Sequence, residues 1–278
     1  MHSEAQSPSL ADVRQFWETH PLSAAEGPFP VGSPMFFDWH DRIRCQDVEP
    51  FAIHMYEFAE HAGEPVLDIG CGNGWLCRHF AENGAHVSGV DVTWNGARLT
   101  HQRLALHKLS GHIIQASAEQ LPFASNRYQF VSCAGVLHHT PNTAGAISEI
   151  YRVLRPGGRA MISLYYRNWL LSEKMWPVTR FCVRRLFARL PDRSAFRHVQ
   201  SVDEFVRIYD GNDNPLGKAF NDAAVDALLG GFVIERREIH YFPRRFLPFP
   251  RFVPRWLHRL LDSYAGTMIY VTVRKNQV

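Results

Sequence analysis

Strands and helices alternate through the middle of the chain, as the spacing of its apolar residues shows. Short apolar runs predict five strands: "PVLDIG", "AHVSGVD", "HIIQAS", "YQFVSCAG" and "RAMISLYY". Longer segments with apolar residues every three or four positions predict helices: "WLCRHFAENG", "NGARLTHQRLALHKLSG" and "TAGAISEIYRVLRPGG". This alternation predicts a parallel sheet covered by helices on both faces, with ligands bound at the carboxyl ends of the strands.

The flanking segments have different patterns. "SLADVRQFWETHP" predicts a short helix capped by Ser9, and the Pro/Gly-rich "PLSAAEGPFPVGSPMFFDWHD" predicts an arm or lid that orders on binding. "DVEPFAIHMYEFAEHAG" predicts one helix, capped by Asp47 and ended by Gly63. Residues 167–220 break the alternation, after which "NDAAVDALLGGF" predicts a helix and "FVIERREIHYF" and "TMIYVTVRK" predict strands.

Three glycines follow the first predicted strand at every second position, in "VLDIGCGNGWL". A dinucleotide fingerprint, G-x-G-x-x-G, would need its third glycine where Trp75 stands, which weighs against a nicotinamide cofactor. Asp91 ends the next strand, where a carboxylate can accept hydrogen bonds from both hydroxyls of a ribose. The loop and Asp91 together indicate a cofactor that contains adenosine.

The chain resembles the class I S-adenosylmethionine (SAM)-dependent methyltransferases, especially the ubiquinone/menaquinone-biosynthesis methyltransferase group. The resemblance covers roughly residues 63–166 and rests on "VLDIGCGNG", "GVDV" and "ASAEQLPFASNRYQFVSCAGVLHHTPNTAGAISEIYRVLRPGGRAMIS". It implies an α/β fold: a Rossmann-like, seven-stranded, mostly parallel sheet with helices on both faces and an antiparallel last strand. It also implies SAM as the cofactor.

The resemblance also implies which residues hold the cofactor. These candidates are Asp68, Gly70, Cys71, Gly72, Gly74, Asp91, Ser117, Ala118, Glu119 and Cys133. The first five are expected at the methionyl end and Asp91 at the ribose. The turn at 117–119 is expected to flank the adenine, and Cys133 to meet the cofactor through its backbone. The family usually has Asp where this chain has Ser117, so the contact to the adenine amino group is expected to be weaker here or to come from elsewhere. The family also usually starts the fourth strand with Asp, where this chain has Gln129.

Methyl transfer from SAM is a direct displacement, so a base is needed only for an acceptor that is protonated. Candidate catalytic residues at the carboxyl edge of the sheet are His138, His139 and Tyr165, although the histidines could simply pack or position loops. The fourth strand ends in "SCAGVL", which offers no acidic metal ligand, so we expect no metal. The chain also lacks the Asn/Asp-Pro-Pro-aromatic and Pro-Cys signatures of nucleobase methylation, so we expect no DNA substrate.

Positive charge and aromatic residues are concentrated late in the chain. The net charge of the whole sequence is +3, yet residues 167–259 contain 17 Lys/Arg and 10 Asp/Glu. Segments 169–190 and 242–261 combine this charge with Trp, Phe and Leu. Such segments fit a cap packed on the core, a peripheral membrane contact, or a site for acidic or phosphorylated acceptors.

We divide the chain into an N-terminal arm or lid (1–46), a SAM-binding core (47–166), a cap insertion (167–220) and a C-terminal part of the sheet with a basic aromatic insertion (221–278). The N-terminus lacks the basic and apolar parts of a signal peptide, so we expect a cytoplasmic protein. The expected function is metal-independent methyl transfer from SAM to a small-molecule acceptor. The alternatives are a quinone or lipid methyltransferase at the membrane surface, and a SAM-binding scaffold or regulator without turnover.

Overall fold

One mixed sheet organises the molecule. The computed structural model describes residues 7–21, 27–45, 49–186, 194–242 and 253–277. Within these residues the strands are β1 Pro65–Ile69, β2 His86–Asp91, β3 His112–Gln115, β4 Tyr128–Ala134, β5 Leu154–Tyr165, β6 Val233–His240 and β7 Met268–Arg274. They lie in the order β3-β2-β1-β4-β5-β7-β6, and β7 is antiparallel to both of its neighbours. The predicted fold class is confirmed, and the strand order reverses between β1 and β4, where such sheets bind ligands.

Helices cover both faces of this sheet. In the described residues they are α1 Leu10–Thr19, α2 Pro34–Ile43, α3 Ala52–Tyr56, α4 Trp75–Glu82, α5 Trp94–Leu106, α6 Thr143–Val153, α7 Trp176–Leu186, α8 Val202–Asp210, α9 Asp222–Leu229 and α10 Arg255–Ala265. One apolar cluster joins α4 to the sheet through Phe80 and Phe130, and a second joins α6 and α9 to the other face through Ile150 and Val225. No helix in the described residues is both long and apolar enough to cross a bilayer.

The N-terminal region is more regular than its composition predicts. The predicted first helix is confirmed as α1, with Ser9 and Asp12 forming a reciprocal capping box. The stretch predicted to be an arm contains α2. Ser33 caps α2, and Phe36 and Phe37 are fully buried, which explains why a Pro/Gly-rich stretch ends in a helix.

The single helix predicted over residues 47–63 is wrong, because the chain breaks at Glu57. α3 ends at Tyr56, Glu57 adopts a left-handed conformation with φ 51°, and a short 3-10 turn follows at Phe58–His61. The break turns Phe58 inward, where its ring packs against Phe80 at a centroid distance of 4.8 Å. Asp47, the predicted cap, lies outside the described residues.

The cap insertion contains a helix that the sequence did not predict. α8 begins after Ser201, whose side chain accepts a hydrogen bond from the Glu204 amide, and it buries Phe205 and Val206. Segment 169–190 contains α7, and the part of the segment beyond Leu186 lies outside the described residues. Since α8 ends at Asp210, it determines where that carboxylate lies.

Asp68, on β1, is a carboxylate enclosed by the core. It accepts hydrogen bonds from the Ser132 hydroxyl at 2.7 Å and from the Cys77 thiol at 3.4 Å. Burial raises the pKa of Asp68 to about 6, although both hydrogen bonds oppose that shift. Ionisation of Asp68 therefore lowers the free energy of unfolding.

A buried charged cluster fastens α2 to α4 and α5. The Arg103 side chain is fully buried and donates to the Phe37 carbonyl oxygen at 3.1 Å and to Asp41 Oδ1 at 2.9 Å. Arg78 of α4 pairs with the other oxygen of Asp41. Burial lowers the pKa of Arg103 to about 10, which still leaves it charged at neutral pH. Asp41 is thus the counter-ion of a buried cation.

We predict that Asp41→Ala lowers the free energy of unfolding by about 3–5 kcal/mol, because it leaves the Arg103 charge buried and unpaired. Urea denaturation followed by circular dichroism measures the change. Glu82→Ala is the matched control, since its carboxylate also pairs with Arg78 but at a more exposed position. The control is expected to cost less than about 1 kcal/mol; equal losses in the two variants would contradict this assignment.

We predict that Asp68→Asn changes the pH dependence of stability. Because the pKa of Asp68 is raised from 3.8 to about 6 on folding, its contribution is present below the unfolded value and is lost as pH rises through 6. The variant removes this loss, so its stability relative to the unmodified protein should rise by about 1–2 kcal/mol between pH 5 and pH 8. Urea titrations of ligand-free protein test this, and a difference that is independent of pH would refute it.

Candidate active site

The glycine loop connects β1 to α4 with a backbone that side chains would obstruct. Gly70 and Gly74 have φ of +70° and +78°, a region that favours glycine. A Cβ at Gly74 would lie 2.8 Å from the Thr100 Cα, and one at Gly70 would lie 2.1 Å from a methyl group of Val136. The loop glycines are therefore required by backbone conformation and by packing against α5 and the loop after β4.

Asp91, at the end of β2, joins this loop to the start of α5. Its Oδ2 accepts a hydrogen bond from the Gly72 amide at 2.9 Å, and its Oδ1 accepts from the Thr93 amide at 2.9 Å and hydroxyl at 2.6 Å. A Cβ at Gly96 would lie 2.5 Å from the carboxylate carbon, so α5 approaches Asp91 closely. Burial raises the pKa of Asp91.

A cavity lies at this edge of the sheet, with about 960 Å³ of empty space when the open solvent at its mouth is included. Predicted residues in its wall are Gly70, Gly72, Asp91, Ser117, Ala118 and His139. Asn73, Thr93 and Gly135 also line it, and the sequence analysis did not select them.

The remaining predicted residues lie outside the wall of the cavity. They are Asp68, Cys71, Gly74, Glu119, Cys133, His138 and Tyr165. Asp68 and Cys133 are buried in the sheet, and Glu119 instead accepts a hydrogen bond from the Asn142 amide at 2.8 Å. The structure thus brings the glycine loop, the end of β2 and the 117–118 turn together around the cavity. The other candidate residues lie outside its wall.

The N-terminal helix closes the cavity from above. Leu10, Val13 and Trp17 of α1 line it. The Glu18 carboxylate accepts hydrogen bonds from the Trp94 and Asn95 amides at 2.8 and 2.9 Å, at the beginning of α5. A carboxylate is favourable there, because the first amides of a helix lack partners within it. The arm therefore forms a roof that is fastened to α5.

His139 also lines the cavity and is held by the cap insertion. Its Nδ1 lies 2.6 Å from the Leu216 carbonyl oxygen, and its Nε2 lies 3.1 Å from Asp210 Oδ2. The Leu216 contact favours the tautomer with hydrogen on Nδ1, which leaves Nε2 facing a carboxylate. Trp17 of the roof also contacts the ring, at a centroid distance of 5.1 Å.

His138 and Tyr165 form the layer behind His139. Burial lowers the pKa of His138 well below its usual value, and its Nδ1 has no hydrogen-bond partner within the described residues. The Tyr165 hydroxyl donates to Asp210 Oδ2 at 2.7 Å, and burial raises its pKa well above the usual value. Neither side chain reaches the cavity wall, so His139 is the predicted catalytic candidate that the structure places there.

Among the described residues, one group has the donor atoms to hold a metal ion: His138, His139 and Asp210, with one donor each within 4.8 Å of the others. The carboxylate of this group is that of Asp210, which belongs to α8 and not to the sheet. The absence of an acidic residue at the end of the fourth strand therefore does not exclude an acidic metal ligand in the site. Asp210 and Leu216 were not selected from the sequence. The only signal near them was the turn composition of "YDGNDNPLGKAF", which does not specify a contact to a residue some 70 positions away.

Residues 67–162 match the family model of a methyltransferase domain. The ubiquinone biosynthesis O-methyltransferase of Pseudomonas aeruginosa (strain UCBPP-PA14) is 35% identical over 140 residues, which cover 47% of this chain and 59% of that protein. The protein of the same name from Dechloromonas aromatica is 34% identical over 130 residues, or 44% of this chain and 53% of the relative. The chain thus spans less than two thirds of the length of these relatives.

Solved structures share the fold. Magnesium protoporphyrin IX methyltransferase from Synechocystis PCC 6803, with bound SAH, has a TM-score of 0.60 and 15% identity, over 96% of this chain and 100% of that one. The [4+2]-cyclase SpnF also has a TM-score of 0.60, with 18% identity over 98% of each chain. Because one of these proteins is a methyltransferase and the other a cyclase, the likenesses establish the fold alone. The match to a methyltransferase domain concerns residues 67–162, and the solved structures show that the fold extends over most of the chain.

Proposed function

We propose that this protein transfers the methyl group of SAM to a small-molecule nucleophile by direct displacement. The observation that carries the proposal is the cavity that Gly70, Gly72, Asp91 and His139 line together. Its position at the reversal of strand order is where this fold binds its ligands. The match of residues 67–162 to a methyltransferase domain supports the same activity.

The residues present fit the cofactor. A Cβ at Gly135 would meet nothing within 4 Å, and one at Gly72 would meet only a backbone oxygen at 3.8 Å, so the wall has open space beside both. The Asp91 carboxylate is available for ribose hydroxyls if it exchanges its contacts with Gly72 and Thr93. When bound, SAM supplies an electrophilic methyl group on its sulfonium. Ser117 and Ala118 are then the proposed neighbours of the adenine.

We propose a hydroxyl oxygen as the acceptor atom. The curated relatives carry the name O-methyltransferase, and His139 provides a proton acceptor for a hydroxyl. With hydrogen on Nδ1 facing Leu216, His139 Nε2 is the atom that takes the proton, once the acceptor hydroxyl replaces Asp210 Oδ2, 3.1 Å away, as its neighbour. The Asp210 carboxylate then lies beside the positive charge that the ring acquires. Trp17 and the rest of the α1 roof exclude water from this wall.

We propose that transfer does not require a metal ion. His139 and Asp210, two members of the potential metal group, already have partners: the Leu216 carbonyl oxygen for His139 and the Tyr165 hydroxyl for Asp210. A metal ion bound at this group would occupy His139 Nε2, which is the atom that accepts the proton in the proposed reaction. Proton transfer at His139 and metal binding at the group therefore compete for that atom.

We predict that Asp91→Ala weakens SAM binding by on the order of 1–3 kcal/mol, because it removes the acceptor proposed for the ribose. Isothermal titration calorimetry with SAM measures the loss. Asp226→Ala, which removes an exposed carboxylate paired with Arg237, is the control and should leave affinity unchanged. Melting temperatures separate a binding effect from a folding effect, since Asp91 also supports the loop. Unchanged affinity in Asp91→Ala would remove this residue from the cofactor site.

We predict that the protein, incubated with methyl-labelled SAM and the small-molecule fraction of a cell extract, transfers label to an acceptor at the same rate with and without EDTA. His139→Gln should lower this rate by about 10²-fold or more, the usual contribution of a general base. A rate lost in EDTA and restored by magnesium or zinc would contradict metal independence. SAM binding without any labelled product would favour a scaffold or regulator instead.

A further inference from the structure

The exposed apolar side chains are concentrated in one part of the molecule. Of the twelve large hydrophobic side chains that are exposed among the described residues, six lie between β5 and α8 or on α10. These six, which we call the aromatic face, are Trp169, Val178, Phe181, Trp256, Leu260 and Tyr264. They are between 49% and 70% exposed, so the packing of the cap does not account for them. Exposed apolar patches on this scale usually have a partner.

On α10 and α7 the exposed residues lie along one side of the helix. Trp256, Leu260 and Tyr264 follow one another at intervals of four residues on α10. The other side of α10 is held by Asp262, which accepts hydrogen bonds from His240 Nδ1 and the Phe242 amide. α10 is therefore attached through the side that carries Asp262, and the side that carries Trp256, Leu260 and Tyr264 faces solvent.

On α7 the side that faces solvent carries apolar residues. Val178 and Cys182, four residues apart, are both exposed, whereas Val183 is buried. Phe181, one turn from Val178, also points to solvent, and the Arg185 guanidinium lies over its ring at 5.1 Å. Val178, Phe181 and Cys182 thus belong to an outer surface and not to the core.

Hydrogen bonds join the three pieces into one surface. The Asn168 side-chain amide donates to the carbonyl oxygens of Ala265 and Gly266 at 2.8 and 2.9 Å, which places Trp169 beside the end of α10. The Thr179 hydroxyl donates to the Leu170 carbonyl oxygen at 2.6 Å, which places α7 beside Trp169. The aromatic face is therefore continuous from Tyr264 through Trp169 to Phe181.

Positive charge lies on the same segments as this face. Five of these cations form no ion pair with a carboxylate within the described residues, whereas Arg167 pairs with Asp203. The five are Lys174, Arg180, Arg184, Arg185 and Arg259. Arg180 and Arg184 instead donate to the backbone carbonyl oxygens of Gln200 and Val199. Cations without counter-ions beside exposed Trp, Tyr and Leu are complementary to the anionic headgroups and acyl boundary of a bilayer.

The aromatic face lies at the same edge of the sheet as the cofactor cavity. Trp169 follows the carboxyl end of β5, and α10 leads into β7, whose first residue, Met268, pairs with Tyr165 at that end. The glycine loop follows the carboxyl end of β1, which is parallel to β4 and β5. A surface that contacts the face would therefore lie at the edge where the cavity opens.

We propose that the aromatic face docks this protein on the surface of a membrane that contains anionic lipids. Trp and Tyr side chains lie at the headgroup level, and the basic residues contact the phosphates. The aliphatic members, Val178 and Leu260, favour a bilayer over RNA, because they have no role in stacking on bases. This proposal does not depend on methyl transfer, since it concerns a surface outside the cavity.

Sedimentation with sucrose-loaded vesicles tests the proposal. The full-length protein should bind vesicles of phosphatidylcholine with 30 mole per cent phosphatidylglycerol at least about tenfold more strongly than vesicles of phosphatidylcholine alone. The triple variant Trp169→Ser/Phe181→Ser/Tyr264→Ser should reduce binding to the anionic vesicles by at least about tenfold. Lys174→Gln/Arg185→Gln should reduce the preference for anionic vesicles and its sensitivity to salt.

Met35→Ser/Ile53→Ser is the matched control, because it removes two equally exposed apolar side chains from another part of the molecule. It should bind vesicles as the unmodified protein does. All variants should keep the same melting temperature and SAM affinity, which shows that a loss of vesicle binding is not a loss of folding or of the cofactor site. The proposal is overturned if the unmodified protein does not bind anionic vesicles or if the triple variant binds them equally well. It is also overturned if the face instead binds RNA or a second copy of the chain and no vesicles.

Discussion

The contacts of a single carboxylate hold the candidate site together. Asp91 ends β2, and its two oxygens join the glycine loop after β1 to the first turn of α5. Adjacent parallel strands end at the same edge, so one side chain at the end of β2 can reach the loop after β1. Without a cofactor, the loop amide of Gly72 and the hydroxyl of Thr93 already occupy that carboxylate. A ribose that binds there would replace these hydrogen bonds with its own. The buried Asp91 carboxylate would then have hydrogen-bond donors both before and after binding, which reduces the free-energy cost of burying its charge.

The rest of the site is supplied by segments outside the sheet core. The roof comes from α1, and Glu18 fastens it to the same first turn of α5 that Asp91 organises. The wall around His139 comes from the cap insertion, where Lys218 donates to the carbonyl oxygens of Thr140 and Pro141 in the loop after β4. The cofactor side of the cavity is thus built by local strand ends, and the acceptor side by long-range contacts. This division explains how one fold can serve many acceptors.

The same division explains how much could be predicted from the sequence. The strands and the loop at Gly70–Gly74 were recognisable, because periodicity and glycine spacing are local signals. The break at Glu57 and the helix α8 were not, because each depends on packing against distant elements. Asp210 could not be identified as a partner of His139, since nothing near it in the sequence specifies a contact 71 positions away. The resemblance assigned cofactor roles to the whole motif from Asp68 to Gly74. In the structure, Gly70 and Gly72 line the cavity, whereas Asp68, Cys71 and Gly74 support the loop from behind.

Asp68 shows why that separation matters. Its neighbours in the motif reach the cavity, but its own carboxylate faces Ser132 and Cys77 inside the core. A carboxylate with a raised pKa in such a place responds to any change in the charge above it, because the interior screens charge weakly. A cationic ligand in the loop would favour the ionised form of Asp68 and lower its pKa. Ionisation of Asp68 lowers the stability of the free protein, and a positively charged ligand would reduce that loss when it binds. Asp68 can therefore increase the affinity for such a ligand without touching it.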